Sequence, residues 1–170
     1  MIALVTGGSG SGKSAFAEDL LVALGGERRM YLATMEARDA ESQRRVARHR
    51  AMRADKGFET LECPRGLDVA ALPQGASVLL EDLPNWVAGE LFGGDIARIP
   101  PALEALMARC RDLVIVTGNV FADGIAYDET TTHYLRHLAA LAQQIACRAD
   151  AVVEVVFSVP VWLKGEPVCI

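Results

Sequence analysis

The sequence contains no CxxC pair, and no histidine stands at zinc-ligand spacing from its four cysteines, Cys63, Cys110, Cys147 and Cys169. That excludes the common cysteine–histidine zinc modules, and the four thiols read as reduced, mostly buried side chains of a cytosolic protein. No apolar run reaches the roughly 18–20 residues that span a bilayer; even the stretch Ala151–Leu163 is interrupted by Glu154. A signal peptide is not expected, because the N-terminus runs straight into a glycine-rich loop by Gly7. An excess of positive charge is missing too: 17 Lys and Arg face 22 Asp and Glu, for a formal charge of −5. A broad nucleic-acid-binding surface carries the opposite balance. Internal repeats, low-complexity segments and long linkers are absent, so residues 1–170 read as one cytoplasmic domain. With 51% apolar and 23% charged residues, such a chain can build a core.

Short β-rich runs alternate with longer helical stretches, the pattern of βαβ units around a mostly parallel sheet. Met1–Thr6, Met30–Ala33, Ser77–Leu80, Leu113–Thr117 and Ala151–Phe157 read as strands, with Glu59–Glu62 a minor one and Val161–Lys164 a hairpin partner. Lys13–Leu24, Asp39–Ala54, Pro84–Phe92, Pro101–Cys110 and Asp128–Cys147 read as helices. Gly25-Gly26 end the first of them, and the prolines sit where a first turn tolerates them.

Gly7, Gly8, Ser9, Gly10, Ser11, Gly12, Lys13 and Ser14 match G-x-x-x-x-G-K-[ST], with a strand before and a helix after. In such a loop backbone N–H groups close around a phosphate and the helix N-terminus adds its positive end. Lys13 reaches the β/γ-phosphates, and the Ser14 hydroxyl is suited to Mg²⁺. The expected ligand is a nucleoside triphosphate. Glu81-Asp82 follow Val78-Leu79-Leu80 off a buried strand, where P-loop folds place a carboxylate for Mg²⁺ or its water. Alternating side-chain directions leave the choice between the two open, and Glu81 is preferred.

The helix over 39–54 groups Arg38, Arg44, Arg45, Arg48, Arg50 and Arg53 around His49. Arg45, His49 and Arg53 stand at i, i+4 and i+8 and so share a face. Spacing alone is compatible with a solvated basic face carrying an incidental histidine. The alternative is that the arginines grip phosphates while His49, kept neutral by surrounding positive charge, attacks an α-phosphorus. Trp86, His133 and His137 read as structural; the two histidines stand at i, i+4 without an evident third metal ligand.

A resemblance bears on that choice. VTGGSGSGKSAFAEDL, YLATMEARDAESQRRVARHRAMRADKGFETLE, VLLEDLPNWVAGELF and VIVTGNVFADGIAYDETTTHYLRHLAALAQQIACRADAVVEVVFSVPVWLKG are similar, in order and spacing, to successive blocks of one family. This is the bifunctional adenosylcobinamide kinase/adenosylcobinamide-phosphate guanylyltransferase family of cobalamin biosynthesis. Its specific marks here are R-V-x-x-H-R-x-x-R around His49 and A-D-x-V near the C-terminus. The resemblance implies a RecA-like P-loop sheet and a homotrimer. It implies phosphorylation of adenosylcobinamide by ATP or GTP, then transfer of GMP from GTP through a GMP–histidine intermediate on His49. Carried over with it are nucleotide contacts at Gly7–Ser14, at Thr34, Met35 and Glu36, at Arg50 and Arg53, at Glu62 and at Glu81, with Ser14 and Glu81 toward Mg²⁺. The chain departs from the common pattern at Asp82, Gly118-Asn119 and Ala142. Those departures keep two other readings open: another small-molecule P-loop kinase, or a nucleotide-binding protein without turnover.

Overall fold

A computed structural model describes residues 1–37, 39–120 and 124–170, with the side chains of Arg45 and Met52 also outside that description. The elements run β1 (Ile2–Thr6), α1 (Lys13–Ala23), β2 (Arg29–Ala33), α2 (Ala40–Met52), β3 (Phe58–Glu62), β4 (Ser77–Glu81), α3 (Leu83–Gly93), α4 (Ile99–Arg109), β5 (Asp112–Val116), α5 (Glu129–Arg148), β6 (Ala151–Val156) and β7 (Val159–Lys164). Short 3₁₀ turns at Val69–Ala71 and Ile96–Arg98 complete them. The seven strands form one sheet in the order β3-β2-β4-β5-β1-β6-β7. Every pairing is parallel except β6 with β7, which the short turn after Val156 makes an antiparallel hairpin.

Strands flanked by helices on both faces read as continuous apolar runs, and β4 and β5 are buried along their whole length. Alternation then sorts their side chains between two cores. Leu4, Val78, Leu80, Leu113 and Ile115 enter the larger core, closed by Trp86 and Val87 of α3, Leu103 and Leu106 of α4, and Leu138, Leu141 and Ile145 of α5. Ala3, Val5, Leu79, Val114 and Val116 face the smaller core under Ala17, Leu20 and Leu21 of α1. The sequence reading of Trp86 as a core residue agrees with this packing. Helix α2 belongs to neither core, and none of its described side chains is fully buried. Its start is fixed locally: Asp39 and Ser42 form a reciprocal capping box. The family of P-loop sheets anticipated from sequence is therefore the one observed.

One expectation needs correcting. All four cysteines are free, but only Cys63 is buried, while Cys147 and Cys169 are exposed. Cys147 lies in the last turn of the amphipathic helix α5, and Cys169 follows the final strand, so neither has a layer above it. No described helix is long and apolar enough to cross a membrane.

Candidate active site

Parallel strands all deliver their carboxyl ends to one edge of the sheet, where ligands of open α/β folds bind. Here the loop after β1, Tyr31 in the middle of β2, Ala33 at its end, and Glu81 ending β4 surround a cavity of about 350 Å³. Ser9, Gly10, Ser11, Gly12, Lys13 and Ser14 form one wall, and Met35, Asp82 and Asn85 contribute to another. Val46, Arg48 and His49 reach in from α2, with Arg53 just beyond its end.

The glycine-rich loop is pinned from both sides. Ser158 N–H donates to the Ser11 carbonyl at 2.8 Å, and Asn119 N–H donates to the Gly7 carbonyl at 3.2 Å. Gly12 caps α1 with φ +91°, and a Cβ there would stand 2.6 Å from Ser158 Oγ, so only glycine fits. With no side chain capping α1, the first-turn N–H groups remain available to an anion. Lys13 Nζ folds back to donate to the Gly8 carbonyl at 3.1 Å.

Thr34 fixes the acidic end of β4. Its hydroxyl accepts from Asp82 N–H at 2.7 Å and lies 2.9 and 2.8 Å from the Glu81 and Asp82 carbonyls, toward which it can donate. The two acids then take different tasks. Asp82 accepts from Asn85 N–H at 2.8 Å and caps α3. Glu81 turns toward the loop and accepts from Ser14 Oγ at 2.7 Å. Burial, and secondarily the Asp82 carboxylate, push Glu81 up to about 8, against the opposing Ser14 hydroxyl and Lys13 ammonium. Its Oε2 and the Ser11 Oγ are buried without a hydrogen-bond partner among the described residues. A divalent cation fits this arrangement: an orphaned carboxylate oxygen beside a P-loop hydroxyl is the donor chemistry Mg²⁺ takes. Among the described residues no group of three His, Cys, Asp or Glu side chains forms a metal cluster elsewhere.

His49 lies deep in this cavity, its side chain 15% exposed. Nδ1 is 3.5 Å from the Tyr31 hydroxyl and 4.0 Å from Glu81 Oε1. Sequence spacing pointed to arginines around this ring; the structure adds a phenol and a carboxyl. Tyr31 was not singled out in the sequence, because within the strand RMYLA it reads as one more core residue. Its ring lies under the Arg53 guanidinium, 3.8 Å from Cζ, with Phe58 edge-on at 6.1 Å.

The remaining anticipated residues divide. Arg53 is 6% exposed, donates to Thr60 Oγ1 at 3.1 Å and reaches the cavity with His49. Arg50 points outward into an ion pair with Glu62, and neither lines the cavity. Glu36 is likewise held outside, 3.0 Å from Arg65. Arg44 donates to the Ala40 carbonyl within its own helix. Arg38 and the Arg45 side chain lie outside the described residues. His133 and His137 stack on the exposed side of α5 with their Nε2 atoms 2.6 Å apart, away from this cavity.

Comparison with known proteins bears on the family and the fold. Residues 3–163 match the family model described as "Cobinamide kinase / cobinamide phosphate guanyltransferase". The chain is 34% identical over 171 residues to the bifunctional adenosylcobalamin biosynthesis protein CobP of Pseudomonas aeruginosa, covering 96% of this chain and 98% of that protein. It is 32% identical over 184 residues to the bifunctional adenosylcobalamin biosynthesis protein CobU of Salmonella typhimurium, covering 96% of this chain and all of that protein. Among solved structures, a prototypical ATPase from the type III secretion system of pathogenic bacteria superposes with a TM-score of 0.55 at 10% identity. That match covers 90% of this chain and 51% of the ATPase, and it speaks to the RecA-like P-loop fold alone.

Proposed function

The chain belongs to the cobinamide kinase/cobinamide phosphate guanyltransferase family of transferases, and from that premise we propose that one cavity carries two phosphoryl-type transfers. In the first, the chain phosphorylates the aminopropanol hydroxyl of adenosylcobinamide with ATP or GTP. The hydroxyl oxygen bonds to the γ-phosphorus, the bond to the β-bridging oxygen breaks, and the hydroxyl proton is released. Lys13 and the loop N–H groups neutralise and orient the triphosphate, which is most of what such a transfer needs.

In the second, a His49 ring nitrogen attacks the α-phosphorus of GTP. The N–P bond forms, the bond to the β-phosphate's bridging oxygen breaks, and its electron pair leaves with pyrophosphate. A phosphate oxygen of adenosylcobinamide phosphate then attacks the same phosphorus and returns the pair to His49, giving adenosylcobinamide-GDP. Splitting the transfer in two lets each half use a good nucleophile. Arg48 and Arg53 are the cations beside the ring that meet the phosphates, with Met35 on the wall past the end of β2 and Thr34 bracing Glu81 and Asp82 behind it. Arg50 and Glu62, paired with each other, and Glu36, paired with Arg65, lie outside the cavity wall, and their nucleotide contacts rest on the family resemblance and require those pairs to open. Ser14 and Glu81 would hold Mg²⁺, which would supply charge neutralisation at the phosphates. Work as a single domain and a cytoplasmic location, read from length and composition, and assembly as a homotrimer, which rests on the family resemblance, complete the proposal.

The observation that supports this reading most directly is that His49 and the P-loop Lys13-Ser14 line the same cavity. The test is incubation with α-³²P-GTP and Mg²⁺ beside a His49→Ala variant, followed by denaturing gels and acid. Acid-labile label on the wild type alone is expected. A wild type that binds GTP but takes no label overturns the transferase half.

A further inference from the structure

Attack by an imidazole needs more than proximity, because a neutral ring carries its lone pair on only one nitrogen. Free histidine exchanges its proton between the two, so the protein has to choose. We propose that Tyr31 makes that choice: it is a positioning residue whose hydroxyl oxygen accepts the Nδ1–H of His49 and directs the Nε2 lone pair at phosphorus. This rests on the guanylyl-transfer reading above.

Four observations carry it. The Tyr31 oxygen lies 3.5 Å from Nδ1, within hydrogen-bond reach of that nitrogen. Glu81 Oε1 approaches the same nitrogen, at 4.0 Å, so two acceptors face Nδ1. Tyr31 is only 3% exposed and sits in the middle of β2, between the Arg53 guanidinium and the Phe58 edge. His49, in contrast, rides on a helix outside both cores, so the rigid strand must supply the reference position.

The step balances without a proton transfer at the ring. Nε2 bonds to phosphorus, pyrophosphate leaves with the electron pair, and Nδ1 keeps its proton while positive charge spreads over the ring. The Tyr31 oxygen and the Glu81 carboxyl face that charge as it develops. Asp in a serine-protease triad holds its histidine in one tautomer by the same logic.

Tyr31→Phe removes the hydroxyl and leaves the ring, the Arg53 stack and the Phe58 contact. The rate of covalent labelling by α-³²P-GTP at saturating nucleotide should fall about 10- to 100-fold with little change in KM. In ¹⁵N NMR at a pH where the ring is neutral, His49 of the wild type should carry its proton on Nδ1, and Tyr31→Phe should shift it toward Nε2. His49→Ala identifies the resonance among only three histidines. Labelling at the wild-type rate in Tyr31→Phe, a rise in KM alone, or an Nε2–H ring in the wild type each overturns the assignment while leaving His49 as nucleophile. A wild type that takes no label removes the transferase reading and this inference together.

Discussion

Lys56 is a cation placed where its loss can be read as a number. Its Nζ lies 2.9 Å from Glu18 Oε2 and 2.7 Å from Asp19 Oδ1, which ties the turn after α2 to α1. Glu18 is 1% exposed, its Oε1 has no partner among the described residues, and burial already raises its proton affinity. Lys56→Met removes the cation and strands the carboxylate. Breaking a fully buried pair in this way costs about 3–5 kcal/mol. Lys56 is 23% exposed and Arg53 still exerts some attraction, so a loss of about 2–3 kcal/mol at pH 8 is expected. With a urea slope of about 2 kcal/mol/M, the midpoint drops by about 1–1.5 M. The sign of the pH dependence follows from a folded-state proton affinity raised above the unfolded value of 4.5. The folded protein then holds the extra proton, so the penalty grows as pH rises above that value and shrinks toward pH 5. Urea titrations at pH 5 and pH 8 measure it, with Glu18→Gln/Lys56→Met as the control that should recover to within about 1 kcal/mol. An equal loss at both pH values, or a double variant as unstable as the single, would refute this account of the buried carboxylate.

Other expectations are quick to check. Gly12→Ala places a Cβ at φ +91° and 2.6 Å from Ser158 Oγ; a cost of about 1–2 kcal/mol from the backbone alone is expected, and Mg-GTP, expected to raise the Tm of the wild type, should not raise that of the variant. A retained increase would show that the loop tolerates a side chain. Cys147 and Cys169 should react with a disulfide reagent at once in the native state. Buried Cys63, pushed up to about 12, should react only after unfolding, and half-buried Cys110, pushed up to about 11, more slowly than the exposed pair. Four fast thiols would contradict the packing around β3 and α4.

The sequence made the phosphate loop legible because glycine spacing, Lys13 and Ser14 report backbone geometry directly. Strand and helix order was equally readable, since parallel strands buried on both faces leave uninterrupted apolar runs. Side-chain direction at strand ends was harder. Glu81 and Asp82 are adjacent acids, and only the Thr34 hydroxyl that anchors their backbone separates a cavity ligand from a helix cap. Tyr31 stayed hidden because a buried aromatic in a strand looks like packing until the chain from another element arrives beside it. Arginine count was a coarse guide: Arg48 and Arg53 reach the cavity, while Arg50 pairs with Glu62 outside it. Thiol burial went wrong for the simple reason that composition records residue type and not which face of α5 is covered.

Helix α2 adds no described side chain to either core, and it is inserted between β2 and the edge strand β3. The histidine arm is thus modular in an evolutionary sense. A lineage can alter its surface, charge or length under selection for a different acceptor without re-solving the packing of the sheet. The arm's ties to the scaffold concentrate at its C-terminal end, in the Lys56 pair with Glu18 and Asp19 and the Arg53 stack on Tyr31, so substitutions on its outer face need not disturb the sheet.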